Sequence, residues 1–387
     1  LGYDIDENIP THSAISKNLK RFGTDIFEEL FDRVLQQCLH FNLVGGNLIH
    51  IDSSTIKADA SEDSVEMILD EDQFHPDLTP PEYWKQLKKA MKQKHPNVND
   101  RMQSSTDPDA GIISRNGKNR QLAFKDHRAV DDQHGVILST QASSAAVTDE
   151  RQLPSVINEV IFRHQIIPLA VAADKLYGCA ENYSFLLDQG IQPYIPRCRP
   201  GRRKGKYGKD QFRYLSAEDV YICPAGEHLT CISAKHTKSR TFRGSSPVCR
   251  SCQKQDYCIM GKGPRTIRRH RDESIVEEAL RLMGTPVFIS ALKRRMTVVE
   301  GSFAHAKGQH AHHRSRWRGL KKMQVQCFLV ATAQNLKKLL KYAWNPKMAT
   351  AKSSLFSFLC QYFQQYLSKL HDLSYWELMQ ARILKLN

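Results

Sequence analysis

Hydrophobic residues recur at two different spacings along the chain, and the spacing changes near residue 47. Before that point they follow a helical period in two runs, which are Ile15, Leu19 and Phe22, then Phe27, Leu30, Phe31, Val34, Leu35 and Cys38. The second run stops near Gly45 and Gly46, as helices often do at glycine. Two short helices are therefore predicted. Beside the basic residues Lys17, Lys20 and Arg21 they either contact DNA or serve as a structural support, and the spacing fits both interpretations.

From residue 47 onwards short apolar runs alternate with helical ones, and two of the runs end in an aspartate. Residues 48–51 predict a strand that ends at Asp52, and residues 168–173 predict a strand that ends at Asp174. Between and after them we predict a hairpin over 121–140, a helix capped by Asp149 and Glu150, a helix over 181–189 and a strand over 191–195. This order is typical of an α/β fold. An aspartate fixed at a strand end suits a metal ligand, and for Asp52 the alternative is a residue that starts a turn.

A late basic helix carries a single acid, Glu300. Residues 274–283 and 288–345 read as helical, and Val298, Phe303 and Ala306 recur at helical spacing around Glu300. From Gly301 to Asn345 there is no Asp or Glu, but there are nine Lys and Arg. Glu300 either holds a metal ion beside a polyphosphate backbone or is one acid on a solvated helix.

Charge is distributed very unevenly. The formal net charge is +15 with a pI near 9.3, which favours a polyanionic partner, nucleic acid first. Residues 197–270 hold 18 Lys and Arg against five Asp and Glu, and they include the run GRRKGKYGK, whose Arg202, Arg203 and Lys204 are candidate phosphate contacts. Residues 59–82 hold nine acids and no Lys or Arg, so this stretch is either a loop that shields a basic cleft or a solvated linker.

Ten cysteines occur in a chain that has no signal-peptide pattern and no run of 18 apolar residues, which favours reduced thiols or metal ligands in a cytoplasmic protein. Cys249 and Cys252 form a Cys-x-x-Cys pair, and Cys223 and Cys258 are its natural partners for zinc. The alternative is a set of reduced, partly buried thiols, with the segment folding around its few apolar residues.

Three acids thus become candidates for one site: Asp52, Asp174 and Glu300. They are 122 and 126 residues apart in sequence. Phosphodiester chemistry commonly uses two divalent cations roughly 3.5–4 Å apart. Mg²⁺ is held by a few carboxylates together with water and phosphate. Two aspartates at strand ends and one helical glutamate would meet that requirement.

These residues resemble the DDE transposases of bacterial insertion sequences, in particular a subgroup whose core is interrupted by a Cys-containing insertion. The resemblance lies in HIDSSTIKADAS around Asp52, STDPDA, AADKLYGCAENY around Asp174, VVEGSFAHAK around Glu300, and RSRWRGLKKMQVQCFLVATAQNLKKL, and it spans roughly Pro10 to Leu340. The chain departs from the family at Leu176 and Ser53, where relatives usually have glycine.

The resemblance implies an RNase H-like fold, a mixed five-stranded sheet flanked by helices, with the Cys-containing segment inserted between the second Asp and the Glu. It implies that Asp52, Asp174 and Glu300 hold Mg²⁺ or Mn²⁺, and that Lys307, Arg314, Arg316 and Arg318 contact DNA phosphates. The activity would be metal-dependent cleavage of double-stranded transposon ends and strand transfer into target DNA, by a homodimer in the synaptic complex of a bacterial nucleoid.

Five segments are expected from these patterns. They are an N-terminal helical segment (1–46), the first part of the core (47–196), the basic insertion (197–270), the second part of the core (271–345) and a helical tail (346–387). The start at Leu1, without Met, leads us to expect that an upstream DNA-binding portion is missing. Three alternatives stay open: a nuclease of the same fold without strand transfer, a zinc-organised DNA-binding protein without catalysis, and a metal site built from His305, His310, His312 and His313.

Overall fold

The structure is a computed structural model, and it describes residues 21, 23–68, 79–82, 84, 98–114, 120–197, 205–233, 239–259, 261 and 263–343. Its contacts divide the chain into two units, Leu1–Asn335 and Leu336–Asn387. In the second unit the described residues, 336–343, belong to the end of the last helix and the turn after it. None of the helices in the described ranges has the length and hydrophobicity needed to cross a membrane.

Eight α-helices and thirteen strands are found in the described residues. The helices are α1 (Asp25–His40), α2 (Leu153–Asn158), α3 (Ala180–Asp188), α4 (Ser246–Arg250), α5 (Gln255–Cys258), α6 (Glu273–Ala279), α7 (Pro286–Gln309) and α8 (Leu320–Tyr342). The strands are β1 (Leu48–Lys57), β2 (Val65–Met67), β3 (Met102–Ser104), β4 (Gly111–Ile113), β5 (Gln121–Asp131), β6 (Ile137–Ser144), β7 (Ala170–Ala173), β8 (Gln192–Tyr194), β9 (Arg213–Leu215), β10 (Val220–Ile222), β11 (His228–Cys231), β12 (Ser239–Gly244) and β13 (Thr266–His270).

Six of the strands form a central mixed sheet. Their order is β4-β5-β1-β7-β8, and β6 also pairs with β5. The pairs that β5 forms with β1 and β6 are antiparallel, whereas β7 runs parallel to both β1 and β8. The predicted fold class, a mixed sheet flanked by helices and consistent with an RNase H-like fold, is confirmed. The expected five strands are joined by a sixth, because the short β4 pairs with the first residues of β5.

Helices cover both faces of this sheet, as the side chains of β6 reveal. Glu159, in the π-helical turn that follows α2, accepts hydrogen bonds from Ser139 and Gln141 at 2.5 and 2.7 Å. Successive residues of a strand point to opposite faces. Thr140 accordingly points the other way, and its hydroxyl donates to Asp126 at 2.8 Å. That second face is the one covered by α7 and α8, through side chains of both helices described below.

The predicted period of residues 27–38 is confirmed by α1, whose buried residues are Phe31, Val34, Leu35 and Cys38. Phe31 packs on Phe328 of α8 with ring centroids 5.9 Å apart. Burying a side chain of this size stabilises the fold by about 1.5–3 kcal/mol. The first predicted helical run, Ile15 to Phe22, lies outside the described residues.

The basic insertion contains a second sheet that its composition did not indicate. Five antiparallel strands pair in the order β13-β12-β11-β10-β9. They enclose a small core of five buried residues, Phe212, Tyr221, Leu229, Phe242 and Ile267. Arginines lie over aromatic rings of this core and of its edge. The guanidinium carbon of Arg265 lies 5.2 Å from the ring centroid of the buried Phe212, and that of Arg269 lies 3.8 Å from the ring centroid of the half-buried Tyr214. The apolar stems of such long cationic side chains cover apolar surface while their charged groups stay in a polar environment. The sequence of these strands therefore reads as highly charged, and its alternation of buried and exposed residues is not evident.

One predicted element is wrong. Residues 288–345 do not form a continuous helix, because α7 ends at Gln309 and α8 begins at Leu320. The residues between them contain few aliphatic side chains and run beside the end of β1. There the Lys57 amide donates to the His313 carbonyl (3.0 Å), and the Ser315 amide donates to the Lys57 carbonyl (2.7 Å). Gly319 then turns the chain into α8 with a φ of +92°, a conformation that glycine adopts readily.

Candidate active site

Asp52 and Asp174 are brought side by side by the register of two parallel strands. The last paired residues of β1 and β7 are Ile51 and Ala173. Asp52 therefore follows the last paired residue of β1, and Asp174 follows the last paired residue of β7. Neighbouring strands lie about 4.8 Å apart. Asp174 directly follows the end of β7, as predicted. Asp52 does not end its strand, because β1 continues to Lys57 by pairing with β5; it lies where the pairing with β7 stops.

Glu300 is linked to Asp52 by a residue that the sequence did not single out, Arg295 of α7. One nitrogen of its guanidinium donates to Asp52 Oδ2 at 2.7 Å, and the other donates to Glu300 Oε1 at 3.1 Å. The Arg295 side chain is 12% exposed and that of Glu300 is 49% exposed. The site is therefore more open to solvent at Glu300 than at Asp52, whose side chain is 20% exposed.

The charge of Asp52 depends on its neighbours. Burial raises the pKa of Asp52 to about 6; Arg295 and the amide of Ser53 oppose this shift, and the charge of Asp174 adds to it. Asp174 thus lies close enough to act electrostatically on Asp52. A carboxyl with a pKa near 6 gains its charge as the pH rises through about 6, and only the charged form attracts a cation strongly.

The two departures from the family pattern leave both carboxylates anchored. The Ser53 amide donates to Asp52 Oδ1 at 2.8 Å, and the Leu176 amide donates to Asp174 Oδ1 at 2.6 Å. Any residue other than proline supplies such an amide. The Ser53 hydroxyl is directed elsewhere, to Asp149 Oδ1 at 2.9 Å. Asp149 thus accepts a hydrogen bond from Ser53. The prediction that Asp149 caps a helix is wrong, because the short helix Asp149–Arg151 has no side-chain cap.

The candidate phosphate-contacting residues lie on α7 and on the loop after it. Lys307 is exposed on α7, seven residues after Glu300, so it lies near the same helix face about 10 Å further along. Arg314 donates to Asp59 Oδ1 at 2.8 Å, and Arg318 donates to the Asp59 carbonyl at 3.0 Å. Arg316 is exposed. Asp59 is the first acid of the acidic stretch. Residues 69–78 of that stretch, and Arg202, Arg203 and Lys204, lie outside the described residues.

A buried polar network stands beside the three acids on the same face of the sheet. Arg128, the partner of Asp52 in the β1–β5 register, is fully buried. It donates to Asp126 Oδ2 (2.9 Å), to the Ser302 hydroxyl of α7 (2.9 Å) and to Gln334 Oε1 of α8 (2.8 Å). Burial opposes ionisation of Asp126, but Arg128 and His312 outweigh it and hold the pKa of Asp126 well below its ordinary value. The network ties both helices to the sheet.

His312 belongs to this network, which bears on the alternative of a histidine metal site. Ligand atoms of Asp126, His312 and Cys327 lie within 4.8 Å of one another. Both Asp126 oxygens already accept bonds from protein groups, and the two ring nitrogens of His312 lie 2.9 Å from Asp126 and 3.2 Å from Gln326. The group therefore has the contacts of a structural network.

The four candidate zinc ligands also come together. Cys223 follows β10, Cys249 lies in α4, Cys252 follows it and Cys258 ends α5. All four line one cavity of about 40 Å³ at the end of the second sheet. Burial raises the pKa of the Cys258 thiol, and Cys223, Cys249 and Cys252 add to that shift.

Arg295 and Arg128 are the site residues that sequence reasoning missed. Arg295 lies in a run of three basic residues, Lys293 to Arg295, just before Glu300. A cation five residues from the only acid of a basic helix is a usable signal, although side chains at that spacing are not ordinary helix neighbours. Nothing in the sequence around Arg128 indicates burial, because two of its three partners, Ser302 and Gln334, lie more than 170 positions away.

A comparison with known families matches the later part of the chain. Residues 222–340 match the model of a family described as a transposase DDE domain. The match includes Glu300 and the four cysteines, and it begins after Asp52 and Asp174. It supports a DDE transposase family, so the resemblance carried by the sequence motifs is confirmed. Such domains act on DNA and in general use divalent metal ions. No curated protein matches the chain.

Proposed function

We propose that this chain is a DNA transposase that cuts transposon ends and joins them to target DNA, with Asp52, Asp174 and Glu300 as its metal-binding catalytic residues. The observation that carries the proposal is the shared guanidinium of Arg295, which binds Asp52 and Glu300 while Asp174 acts on Asp52 from the next strand.

The three acids fit Mg²⁺ or Mn²⁺. All offer carboxylate oxygens, the donors that hard divalent cations prefer, and Arg295 demonstrates that positive charge is stable between two of them. When bound, a pair of such ions would activate the attacking oxygen and stabilise the leaving oxygen of a phosphodiester. The backbone amides of Ser53 and Leu176 hold the two aspartates in place for this purpose.

The basic residues of α7 and the following loop would hold the DNA. Lys307 extends from the helix that carries Glu300, and Arg314, Arg316 and Arg318 follow on the loop beside β1. Phosphate contacts of this kind position a duplex without reading its sequence. Asp59 competes with phosphate for Arg314 and Arg318, and DNA binding would displace it.

A joining assay tests strand transfer separately from cleavage. The chain is mixed with Mn²⁺, a plasmid target and a duplex whose recessed end, taken from the DNA flanking the coding sequence, already carries a free 3′-hydroxyl. We expect covalent joining of that 3′-end to the plasmid, and no joining of the same duplex ending in a 3′-dideoxynucleotide. Nicking of uncut flanking DNA without any joining would instead favour a nuclease of the same fold.

The zinc-organised DNA-binding alternative predicts neither product. It requires that binding of DNA be the whole activity and that the acids be dispensable. Salt-sensitive DNA binding with no Mn²⁺-dependent cutting or joining would favour it over the proposal.

A further inference from the structure

We infer that Cys223, Cys249, Cys252 and Cys258 bind one structural zinc ion that closes the end of the inserted five-stranded sheet. The inference is independent of the proposed function, because it concerns the folding of the insertion and not the three acids.

Cys223 has the surroundings of a metal-bound thiolate. Its sulfur accepts hydrogen bonds from the amides of Ala225 and Glu227, both at 3.3 Å. The tight turn between β10 and β11 that directs these amides inward contains Gly226 at a φ of +91°. Second contacts of this kind fix the direction in which a metal ligand points.

The other three thiols line the same cavity from the segment between β12 and β13, which contains α4 and α5. Cys249 packs closely against β12, because a Cβ atom added to Gly244 would lie 2.8 Å from the Cys249 sulfur. Two cations border the cluster, since Lys254 donates to the Pro224 carbonyl at 2.7 Å and Arg265 donates to the Cys258 carbonyl at 3.2 Å. The first bond ties the segment between α4 and α5 to the turn after β10, and the second ties the end of α5 to the residues that lead into β13.

The size and chemistry of the site select zinc. A cavity of about 40 Å³ lined by four cysteines suits a single ion, and four thiolates in a tetrahedron are a common structural zinc site. No three of the four sulfurs lie within 4.8 Å of one another in the described chain. Zinc–sulfur bonds of about 2.3 Å therefore require the thiols to rotate inward.

The insertion also has a physical need for such an ion. Its buried core consists of five side chains surrounded by a strongly basic surface, so self-repulsion opposes folding and little apolar burial offsets it. A zinc ion bound by four thiolates supplies folding free energy directly. It also fixes α4 and α5 to the turn after β10.

The first test is the metal content of the purified 387-residue chain after dialysis against a weak chelator. We expect about one zinc ion per chain in the parent, and below about 0.2 in Cys252→Ser and Cys258→Ser. Cys231→Ser is the matched control, because Cys231 belongs to the same sheet but its sulfur faces Ser233 at 3.8 Å and does not line the cavity. This control and Asp174→Asn should both keep the ion, which separates the cluster from the proposed catalytic site.

A second measurement uses only the parent chain, so it tests the inference even if the cysteine variants do not fold. The parent chain, prepared with Co²⁺ in place of zinc, should show the intense visible bands and the thiolate charge-transfer band of a tetrahedral sulfur site. Parent protein without stoichiometric metal, with iron in place of zinc, or with a Cys249–Cys252 disulfide would overturn the inference. So would a Cys258→Ser chain that retains a full zinc equivalent.

Discussion

Asp174→Asn is expected to abolish Mn²⁺-dependent nicking of end DNA while leaving the fold intact. Asparagine keeps the side-chain oxygen that accepts the Leu176 amide and caps the following turn, but it removes the negative charge beside Asp52. Loss of one metal-binding carboxylate removes several kcal/mol of transition-state stabilisation, which corresponds to a rate reduction of about a thousandfold or more. The measurement is the single-turnover nicking rate, with circular dichroism as the check on folding.

The matched control for this variant is Asp188→Asn. Asp188 is exposed at the end of α3, where it accepts a hydrogen bond from Ser184 of the same helix. It should nick at the parent rate. Nicking by Asp174→Asn at the rate of this control would contradict the catalytic assignment.

The largest effect on stability is expected from Arg128→Met. The substitution keeps the apolar length of the side chain but leaves the Asp126 carboxylate buried without its main cation, and it removes the bonds to Ser302 and Gln334. Breaking a buried ion pair by removing one partner costs about 3–5 kcal/mol. Urea denaturation should report a loss of this size in the free energy of unfolding.

Arg33→Met provides the comparison, because Arg33 forms an ion pair with Glu29 on the exposed side of α1, with side chains 40% and 43% exposed. Exposed pairs at this helical spacing contribute about 0.3–0.5 kcal/mol. Equal losses in the two variants would mean that the buried network does not hold α7 and α8 to the sheet.

The central sheet could be predicted because its strands carry their own signal. The apolar runs of β1 and β7 are each followed by an aspartate just after their shared pairing ends. Two strand-like runs on either side of the turn at Gly135 mark the hairpin of β5 and β6. The second sheet could not be predicted in this way, because arginines occupy positions between its few buried residues. The break between α7 and α8 was missed for a different reason: it depends on backbone bonds from Lys57 to residues more than 250 positions later.

The candidate site was predictable in part. The chemistry of phosphodiesters calls for several acids, and only Asp52, Asp174 and Glu300 stood at suitable places in the pattern. That they come together depends on the register of β1 against β7 and on the packing of α7, and neither is encoded locally. The burial of Arg128 depends entirely on that packing, so no local pattern could identify it. Arg295 left only one local signal, its place five residues before the single acid of its helix.

The most direct test of the shared cation site is to locate Mn²⁺ by anomalous scattering from crystals of the chain soaked at about pH 7.5 and at about pH 5, on either side of the pKa of Asp52. The account predicts peaks ligated by Asp52, Asp174 and Glu300 at the higher pH, with Arg295 displaced from Asp52, and markedly weaker peaks at the lower pH. Manganese bound elsewhere, with the Arg295 bridge intact at the higher pH, would contradict it.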